Sequence, residues 1–357
     1  MNASSKRIAS VDALRGLAVA AMLLVNNPGD WGHVYAPLRH SAWHGWTPTD
    51  LIFPFFLFIV GVSLSLSMGG KIEAGGGAAL RGAVIQRALR ILLLGMALNV
   101  FAWLVLDKPA LRIPGVLQRI GLCFGLAGLI AIQWRARGQR IWIAALLVGY
   151  GALLLAGGPL DKAGNIASRF DAWLLGSHAY EWNAATLTGH DPEGVVSTLG
   201  ALATTLLGWR CGEALRAGAL KQLAAMGLLA AAAGFALDAI GLMPINKHLW
   251  TPSFVLWTGG LAALALLGAH ALIDRLGVPP LFRSFGVNAI AAYAGAWICA
   301  VSLAGFGWMG PIYAHGFAWL EPHVGAYGRS LAFALVFVGA WWAIVRVLDR
   351  RGIHIKV

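Results

Sequence analysis

The feature that most constrains this chain is a series of long apolar segments separated by short polar loops. A helix needs about 20 apolar residues to cross a membrane, and only helices and closed barrels satisfy their backbone hydrogen bonds there. The segments are continuous, whereas barrel strands are shorter and alternate between apolar and polar residues. Charged residues make up only 12% of the chain, about half of the roughly 25% in soluble domains. The pattern predicts an all-α, polytopic membrane helix bundle.

Ten segments are long enough to cross a membrane. The predicted spans lie at about 11–30, 50–69, 87–106, 115–134, 141–158, 194–214, 222–242, 252–272, 285–306 and 328–348. The first span carries Asp12 and Arg15 near its start, so we expect it to be retained as a helix and not cleaved as a signal peptide. Residues 1–357 are predicted to form one transmembrane domain, with long loops at about 31–49, 159–193 and 307–327.

The distribution of basic residues predicts the orientation. With the N-terminus in the cytoplasm, 18 Lys and Arg residues fall on the cytoplasmic side and 7 on the opposite side. An even number of spans then places both ends in the cytoplasm, as expected for a multi-pass protein of a bacterial inner membrane. The net charge of +12 is explained by these short loops, so the expected partner is membrane lipid and not nucleic acid.

Several polar groups in or near the spans have structural explanations. Asp12 and Arg15 are spaced to pair on one helix face. The isolated Cys123, Cys211 and Cys299 are more typical of small packing residues than of metal ligands or disulfides.

The predicted periplasmic ends of the spans are rich in groups that can carry chemistry. Ionisable residues at membrane depth are costly and are candidates for a functional site. The candidates are Asn26, His40, Trp43, His44 and Asp50 in the first loop, Arg112, Gln118 and Arg119 at the fourth span, Asp191 and Glu193 before the sixth, and Asn246, Lys247 and His248 before the eighth.

Alternative interpretations of these residues stay open. The run Thr47-Pro48-Thr49-Asp50 is typical of a helix start, so Asp50 is either a capping residue or a site residue. Asp191-Pro192 and Thr251-Pro252 have the same start pattern, so Asp191 is likewise either a cap or a site residue. His40 and His44 have the spacing of a helical zinc pair, but no third ligand is evident and no metal is predicted. A neutral His40 imidazole can instead act as a general base near neutral pH.

Five segments resemble one family of membrane enzymes. The stretch 7–17 is similar to the first helix of a broad group of membrane acyltransferases. The stretch 40–56, His-Ser-Ala-Trp-His-Gly-Trp-Thr-Pro-Thr-Asp followed by Leu-Ile-Phe-Pro-Phe-Phe, resembles the heparan-alpha-glucosaminide N-acetyltransferase family. Stretches 112–119, 191–194 and 244–251 match further family segments in the same order.

The resemblance implies an enzyme that transfers the acetyl group of cytoplasmic acetyl-CoA to the amine of glucosamine or a terminal glucosaminide on the far side of the membrane. It implies a catalytic role for His40, with Asn26 in the same site, and we add Asp50. We expect Arg112, Gln118, Arg119, Asn246 and Lys247 to bind acetyl-CoA, and Trp43, His44, Asp191, Glu193 and His248 to bind the sugar.

The resemblance has limits. His44 departs from the animal enzyme, which has a neutral amide there, so the polar contacts of this loop are open. The luminal domain that precedes the membrane portion of the animal enzyme has no counterpart here, so we expect the membrane-only bacterial form. The acceptor sugar does not carry over, and a homodimer is left open.

Two mechanisms and two rival functions stay open. His40 either takes a proton from the attacking amine or carries the acetyl group as a covalent intermediate. The first helix alone also allows an O-acyltransferase of a periplasmic glycan. Polar groups at helix ends are equally found along the path of a transporter or flippase.

Overall fold

The computed structural model describes residues 8–355. Its helices are α1 (Ala9–Asn26), α2 (Ile52–Glu73), α3 (Gly77–Val105), α4 (Val116–Gln133), α5 (Ala136–Ala156), α6 (Ile166–Leu175), α7 (Thr198–Arg216), α8 (Leu220–Ala239), α9 (Pro252–Ala269), α10 (Arg283–Val287), α11 (Ala289–Gly305), α12 (Met309–Phe317) and α13 (Glu321–Arg350). Short 3₁₀ segments cover Ala36–Leu38, Pro48–Leu51, Gly176–His178 and Ala318–Leu320, and a π-helical turn, His270–Arg275, extends α9. One antiparallel hairpin joins β1 (Glu181–Asn183) to β2 (Thr188–His190).

The predicted all-α polytopic architecture is confirmed. A helix lies at each of the ten predicted spans, and eight segments of the described chain are long and apolar enough to cross a membrane. The other two are α7 and α11, at the sixth and ninth predicted spans. α11 has 17 residues. α7 is less apolar because it faces other helices and not lipid.

Helix α7 packs against α2 through small residues. A Cβ added to Gly61 of α2 would lie 1.9 Å from the Thr205 carbonyl oxygen, and one added to Gly208 of α7 would lie 2.0 Å from the Phe58 carbonyl oxygen. Only glycine allows the two backbones to approach this closely, as is common between membrane helices. This contact fixes α2, which carries the start of the candidate site, against the centre of the bundle.

Polar contacts gather at the two ends of the bundle. At one end, the predicted Asp12–Arg15 pair is confirmed, with 3.1 Å between Oδ1 and Nη1. Arg15 also donates to the Gly286 carbonyl and to Ser63 Oγ there. At the other end, the loops after α1, α3, α5 and α8 contact one another. We call this second end the site end.

Helix starts at the site end agree in part with prediction. The capping box at Thr47–Asp50 is present with Pro48 in the first turn, and Thr251 caps α9 ahead of Pro252. The interpretation of Asp191 as a cap is wrong, because α7 begins only at Thr198. Asp191 instead accepts hydrogen bonds from its own loop and from Arg112.

The predicted long loops contain secondary structure of their own. Segment 159–193 holds α6 and the hairpin, and segment 307–327 holds α12 and the first residues of α13. Cys123 and Cys211 are buried in hydrophobic clusters and the half-buried Cys299 packs against one, in agreement with their prediction as packing residues.

Candidate active site

The centre of the site end is a contact between a histidine, a carboxylate and a lysine. His40 Nδ1 lies 2.7 Å from Asp50 Oδ1, and Lys247 Nζ lies 3.6 Å from the same oxygen. Lys247 Nζ also lies 2.9 Å from His40 Nδ1 and 3.3 Å from Nε2. The His40 side chain is 45% exposed, whereas that of Asp50 is 1% exposed. A buried carboxylate therefore holds an imidazole that a substrate can reach.

The two oxygens of Asp50 divide the roles that sequence analysis left as alternatives. Oδ2 accepts from the backbone N–H of Ser41 at 2.9 Å and of Thr47 at 3.0 Å, which completes the cap. Oδ1 faces His40 and Lys247. The cap thus fixes the carboxylate in the orientation that the histidine requires.

A backbone bridge joins the first loop to the loop before α9. Gly45 pairs with Asn246, and the Gly45 N–H donates to the Ile245 carbonyl at 2.8 Å. Gly45 has φ +88°, a left-handed conformation that favours glycine. Asn246 is fully buried, lies 3.2 Å from His44 Nδ1 through Nδ2, and accepts from the Leu249 N–H through Oδ1. This bridge brings Lys247 beside His40.

His40 and His44 do not form the helical pair that a zinc site of this spacing requires. Residues 39–47 are not helical, and the two imidazoles have different partners, Asp50 and Asn246. Within residues 8–355, no group of three or more His, Cys, Asp or Glu side chains could hold a metal ion.

Aromatic rings form the wall next to His40. Trp43 stacks on His248 with ring centroids 5.1 Å apart, and meets His190 edge-on at the same distance. Trp43 Nε1 donates to the Leu160 carbonyl at 2.7 Å. Burial lowers the pKa of His248, and Lys247 lowers it further, so this ring is neutral at pH 7. A flat, neutral aromatic wall beside a polar centre is suited to the face of a sugar ring.

A charged cluster links the α3–α4 loop to the loop before α7. Arg112 contacts Asp191 through Nε at 3.0 Å and through Nη2 at 2.5 Å, and Glu193 through Nη2 at 2.6 Å. Burial favours the neutral form of Arg112, but Glu193 and Asp191 outweigh it and raise its pKa above the ordinary value. Burial likewise opposes ionisation of Glu193, and Arg112 outweighs it and lowers the pKa of that carboxyl. Arg112, which was predicted to bind acetyl-CoA, thus forms one ion-paired cluster with Asp191 and Glu193, which were predicted to bind the sugar.

Arg119 is buried within the bundle, and not all of its N–H donors form hydrogen bonds. Its side chain is 1% exposed, and its Nη2 donates to the Gly194 carbonyl and to Ser197 Oγ. Nε and Nη1 have no hydrogen-bond partner among the described residues. The guanidinium lies 5.1 Å from the centre of the Trp250 ring, and Trp250 is three residues after Lys247. These two donors can bind acceptor oxygens of a ligand that reaches this depth of the bundle.

Gln118 and Asn26 are the remaining predicted site residues. Gln118 is buried and donates to the Ile113 carbonyl, and it packs so closely that a Cβ at Gly95 would lie 2.5 Å from its Oε1. Asn26 is the last residue of α1 and is exposed, and no hydrogen bond joins its side chain to another described residue. Its role in the site stays a prediction.

Sequence analysis missed His190 and Asn99. His190 is 4% exposed, contacts Trp43 and lies 2.9 Å from Ser168 Oγ through Nδ1, and burial lowers its pKa to about 3. Asn99 donates to the carbonyls of Arg112 and Pro114 and so shapes the α3–α4 loop. Asn99 could have been found as a lone amide in an apolar span. His190 directly precedes Asp191, but no spacing pattern sets it apart.

The arrangement can deprotonate a nucleophile. A carboxylate that accepts from Nδ1–H leaves Nε2 of an imidazole as its basic nitrogen, which is the usual preparation of a histidine base. The basic and amide groups nearby can bind oxygen-rich substrates, and the aromatic wall can bind a ring.

Comparison with known proteins agrees with this chemistry. Residues 7–164 match the family model described as "Heparan-alpha-glucosaminide N-acetyltransferase, catalytic". The protein of that name from Mus musculus is 29% identical over 82% of this chain and 53% of its own length. The one from Homo sapiens is 27% identical over 83% of this chain and 53% of its own length. The chain thus spans about half the length of the curated relatives it matches, and over that length it resembles the heparan-alpha-glucosaminide N-acetyltransferase family.

Proposed function

We propose that this protein is a membrane-embedded acetyltransferase that moves the acetyl group of cytoplasmic acetyl-CoA to the amine of glucosamine or a terminal glucosaminide. The observation that carries the proposal is the accessible His40 imidazole held by the buried Asp50 carboxylate at 2.7 Å. An amine that attacks a thioester needs such a base, because it must lose a proton as it is acylated.

The distribution of charge supports a periplasmic site. The loops at the opposite end of the bundle carry most of the Lys and Arg residues, and such loops stay in the cytoplasm. His40 and Lys247 lie at the site end, which the same rule puts in the periplasm of a bacterial inner membrane. The donor therefore extends through the bundle from the cytoplasm.

In the proposed step, the amine nitrogen forms a bond to the thioester carbonyl carbon, and the carbon–sulfur bond breaks. The His40 ring takes the amine proton, Asp50 stabilises the imidazolium that results, and CoA leaves as the thiolate. Lys247 must move off Nε2 as the amine approaches. Burial lowers the pKa of Lys247, although Asp50 opposes this.

Arg119 is the best-placed residue to hold the donor. Its free Nε and Nη1 can donate to phosphate or amide oxygens of CoA, since guanidinium groups bind such oxygens well. Trp250 connects it to the turn that carries Asn246 and Lys247. Arg112 is satisfied by two carboxylates, so in this proposal it shapes the pocket from the acceptor side with Asp191 and Glu193.

The test is transfer of labelled acetyl from acetyl-CoA to glucosamine by the purified protein in detergent. We expect the wild type to form N-acetylglucosamine and the His40→Ala variant to be slower by roughly 10²–10⁴-fold, the usual cost of losing a general base. CoA binding and the melting temperature should change little, because the His40 side chain is half exposed.

The matched control is His44→Ala, which removes an imidazole from the same loop. We expect it to raise KM more than it lowers kcat, because His44 contacts Asn246 and not Asp50. Equal losses in both variants, with inactivation by a chelator, would point to a shared metal and contradict a base. Acetylation of hydroxyl groups in place of amines would contradict the proposed acceptor.

A further inference from the structure

A groove lies beside the site, on the segment between α5 and α7. It has a volume of about 390 Å³ and is formed by α6 and the hairpin. Its lining includes the indole rings of Trp173 and Trp182, together with Arg169, Thr188 and Ser168. Nearly all of this lining falls beyond the 7–164 segment that matches the family model. The volume is in the range of ligand-binding pockets, which are mostly apolar with a few polar groups.

The groove shares a wall with the candidate active site. Ser168 lines the groove and lies 2.9 Å from His190 Nδ1. On the other side, the His190 ring meets Trp43 with centroids 5.1 Å apart, and Trp43 follows His40 by three residues. Gly189, the residue before His190, also lines the groove. A long ligand bound at His40 could therefore continue over Trp43 into the groove.

The chemistry of the groove favours a carbohydrate over lipid. Trp173 is 78% exposed, and indole rings with nearby N–H and O–H groups suit the apolar face and the hydroxyls of a pyranose. The exposed Lys162–Glu181 ion pair, with 2.7 Å between Nζ and Oε2, lies on the same segment. Exposed ion pairs of this kind belong in water and not against acyl chains. Arg169 disfavours a cationic sugar and favours a neutral or acidic one.

We propose that this groove binds a distal pyranose unit, one without positive charge, of a glycan whose terminal glucosamine occupies the site at His40. The acceptor role rests on the proposed function, whereas the binding of a sugar in the groove does not. The proposal makes this protein an enzyme for oligosaccharide or polysaccharide ends more than for free glucosamine.

The first experiment measures binding without catalysis. A tetramer of β-1,4-linked N-acetylglucosamine, which is neutral and cannot accept acetyl on an amine, is titrated calorimetrically against the protein in lipid nanodiscs. We expect binding that weakens at least tenfold in Trp173→Ala and in Trp182→Ala. Trp308→Ala is the matched control, since Trp308 is 60% exposed but lies outside the groove. We expect it to bind like the wild type.

The second experiment measures acetyl transfer to glucosamine and to oligosaccharides that carry a terminal glucosamine on one to four neutral sugar units. In the wild type, KM should fall at least tenfold as the acceptor lengthens. In Trp173→Ala this fall should disappear, while KM and kcat for free glucosamine stay unchanged. The milder Thr188→Val should give a smaller effect in the same direction.

The outcomes separate this proposal from the proposed function. Tetramer binding that depends on Trp173, in a protein that acetylates no amino sugar, would overturn the function and keep the groove. Transfer that is independent of acceptor length, without tetramer binding, would overturn the groove and keep the function. Unchanged tetramer binding in both tryptophan variants, with loss of co-purified phospholipid, would assign the groove to lipid and also overturn the proposal.

Discussion

At the scale of single residues, Asp50 links folding to chemistry. One of its oxygens completes a helix cap and the other faces His40. The cap holds the carboxylate in place through the backbone N–H groups of Ser41 and Thr47. The orientation of the base is therefore prepared before the sugar arrives, and this is how active sites avoid a cost of reorganisation during the reaction.

Replacing Asp50 by asparagine should separate its two roles. An amide can still accept one set of backbone hydrogen bonds, but it no longer stabilises a charged His40 ring. We expect kcat for acetyl transfer to fall by roughly 10²–10⁴-fold. The control is Thr47→Val, which removes the contacts of Thr47 Oγ1 with the Arg39 carbonyl and Asp50 Oδ2 but keeps the backbone N–H donors to Asp50. It should cost about 1 kcal/mol of stability while kcat stays within a few-fold. Similar losses of kcat in the two variants would mean that Asp50 acts only as a cap.

Asp171 should make stability depend on pH. Burial, with a smaller contribution from the nearby Asp191 charge, raises its pKa from 3.8 to about 6. The folded protein therefore holds this proton between pH 4 and 6, whereas the unfolded chain releases it. Stability is full below this window and falls by about 3 kcal/mol as the pH rises through it.

The Asp171→Asn variant tests this directly. Its oxygen can still accept from the Val195 N–H, but the cost of ionisation is gone. We expect the melting temperature in detergent to fall less between pH 4 and pH 7 than in the wild type. Asp107→Asn, at an exposed turn, should behave like the wild type. A wild-type pH dependence in Asp171→Asn would show that the buried carboxyl is not its source.

Residue-level prediction succeeded where residue type and spacing carry information. The Asp12–Arg15 pair, the caps at Thr47 and Thr251 and the packing cysteines could be predicted, because each depends on neighbours along the chain. The contacts of Asp191 and His190 could not, because they join loops that are far apart in sequence. Only the folded bundle shows which loop faces which.

At the scale of elements, the ten long helices follow from their apolar runs, whereas the smaller elements do not. Helix α6 has ten residues, too few to cross a membrane, and each strand of the hairpin has only three. They are held by specific contacts, such as Asn165 capping α6 through the Ser168 N–H. The late start of α7 has a similar cause, since residues 191–197 are occupied by the Arg112 cluster and by turns.

The Arg112 cluster is the main polar link between elements at the site end, and breaking it should destabilise the protein. The Arg112→Gln variant removes the cation that pairs with the buried Asp191 and Glu193 carboxylates, and Asp191 keeps only its backbone donors. Removal of one member of a buried ion pair typically costs about 3–5 kcal/mol. We expect a lower melting temperature and a lower yield of folded protein.

Neutralising the whole cluster should recover much of this loss. The triple variant Arg112→Gln, Asp191→Asn, Glu193→Gln leaves no unpaired carboxylate in the cluster, so we expect it to regain at least half of the lost stability. The melting temperatures of single and triple variants in the same detergent provide the comparison. A triple variant as unstable as the single one would show that Arg112 is needed for its shape and not for its charge.

At the scale of the whole molecule, the bundle separates two chemical environments. Asp12 and Arg15 pair at one end of the bundle, and His40 and Asp50 pair at the other, the site end. Under the proposed function, the bias of basic residues puts the first end in the cytoplasm and the second in the periplasm. In that proposal donor and acceptor approach from opposite sides, and the buried Arg119 is the residue we propose to contact the donor on its path. The fold was predictable from hydropathy, whereas this path depends on packing between helices.

The most direct test of transfer across the membrane uses proteoliposomes of the purified protein, with glucosamine trapped inside and labelled acetyl-CoA added outside. We predict that labelled N-acetylglucosamine accumulates in the lumen, and that His40→Ala lowers its rate of formation by roughly 10²–10⁴-fold. The control adds glucosamine outside vesicles that contain none. Acetylation that occurs only when both substrates are on the same side of the membrane, or that persists in His40→Ala, would contradict a site reached by the donor through the bundle and served by His40.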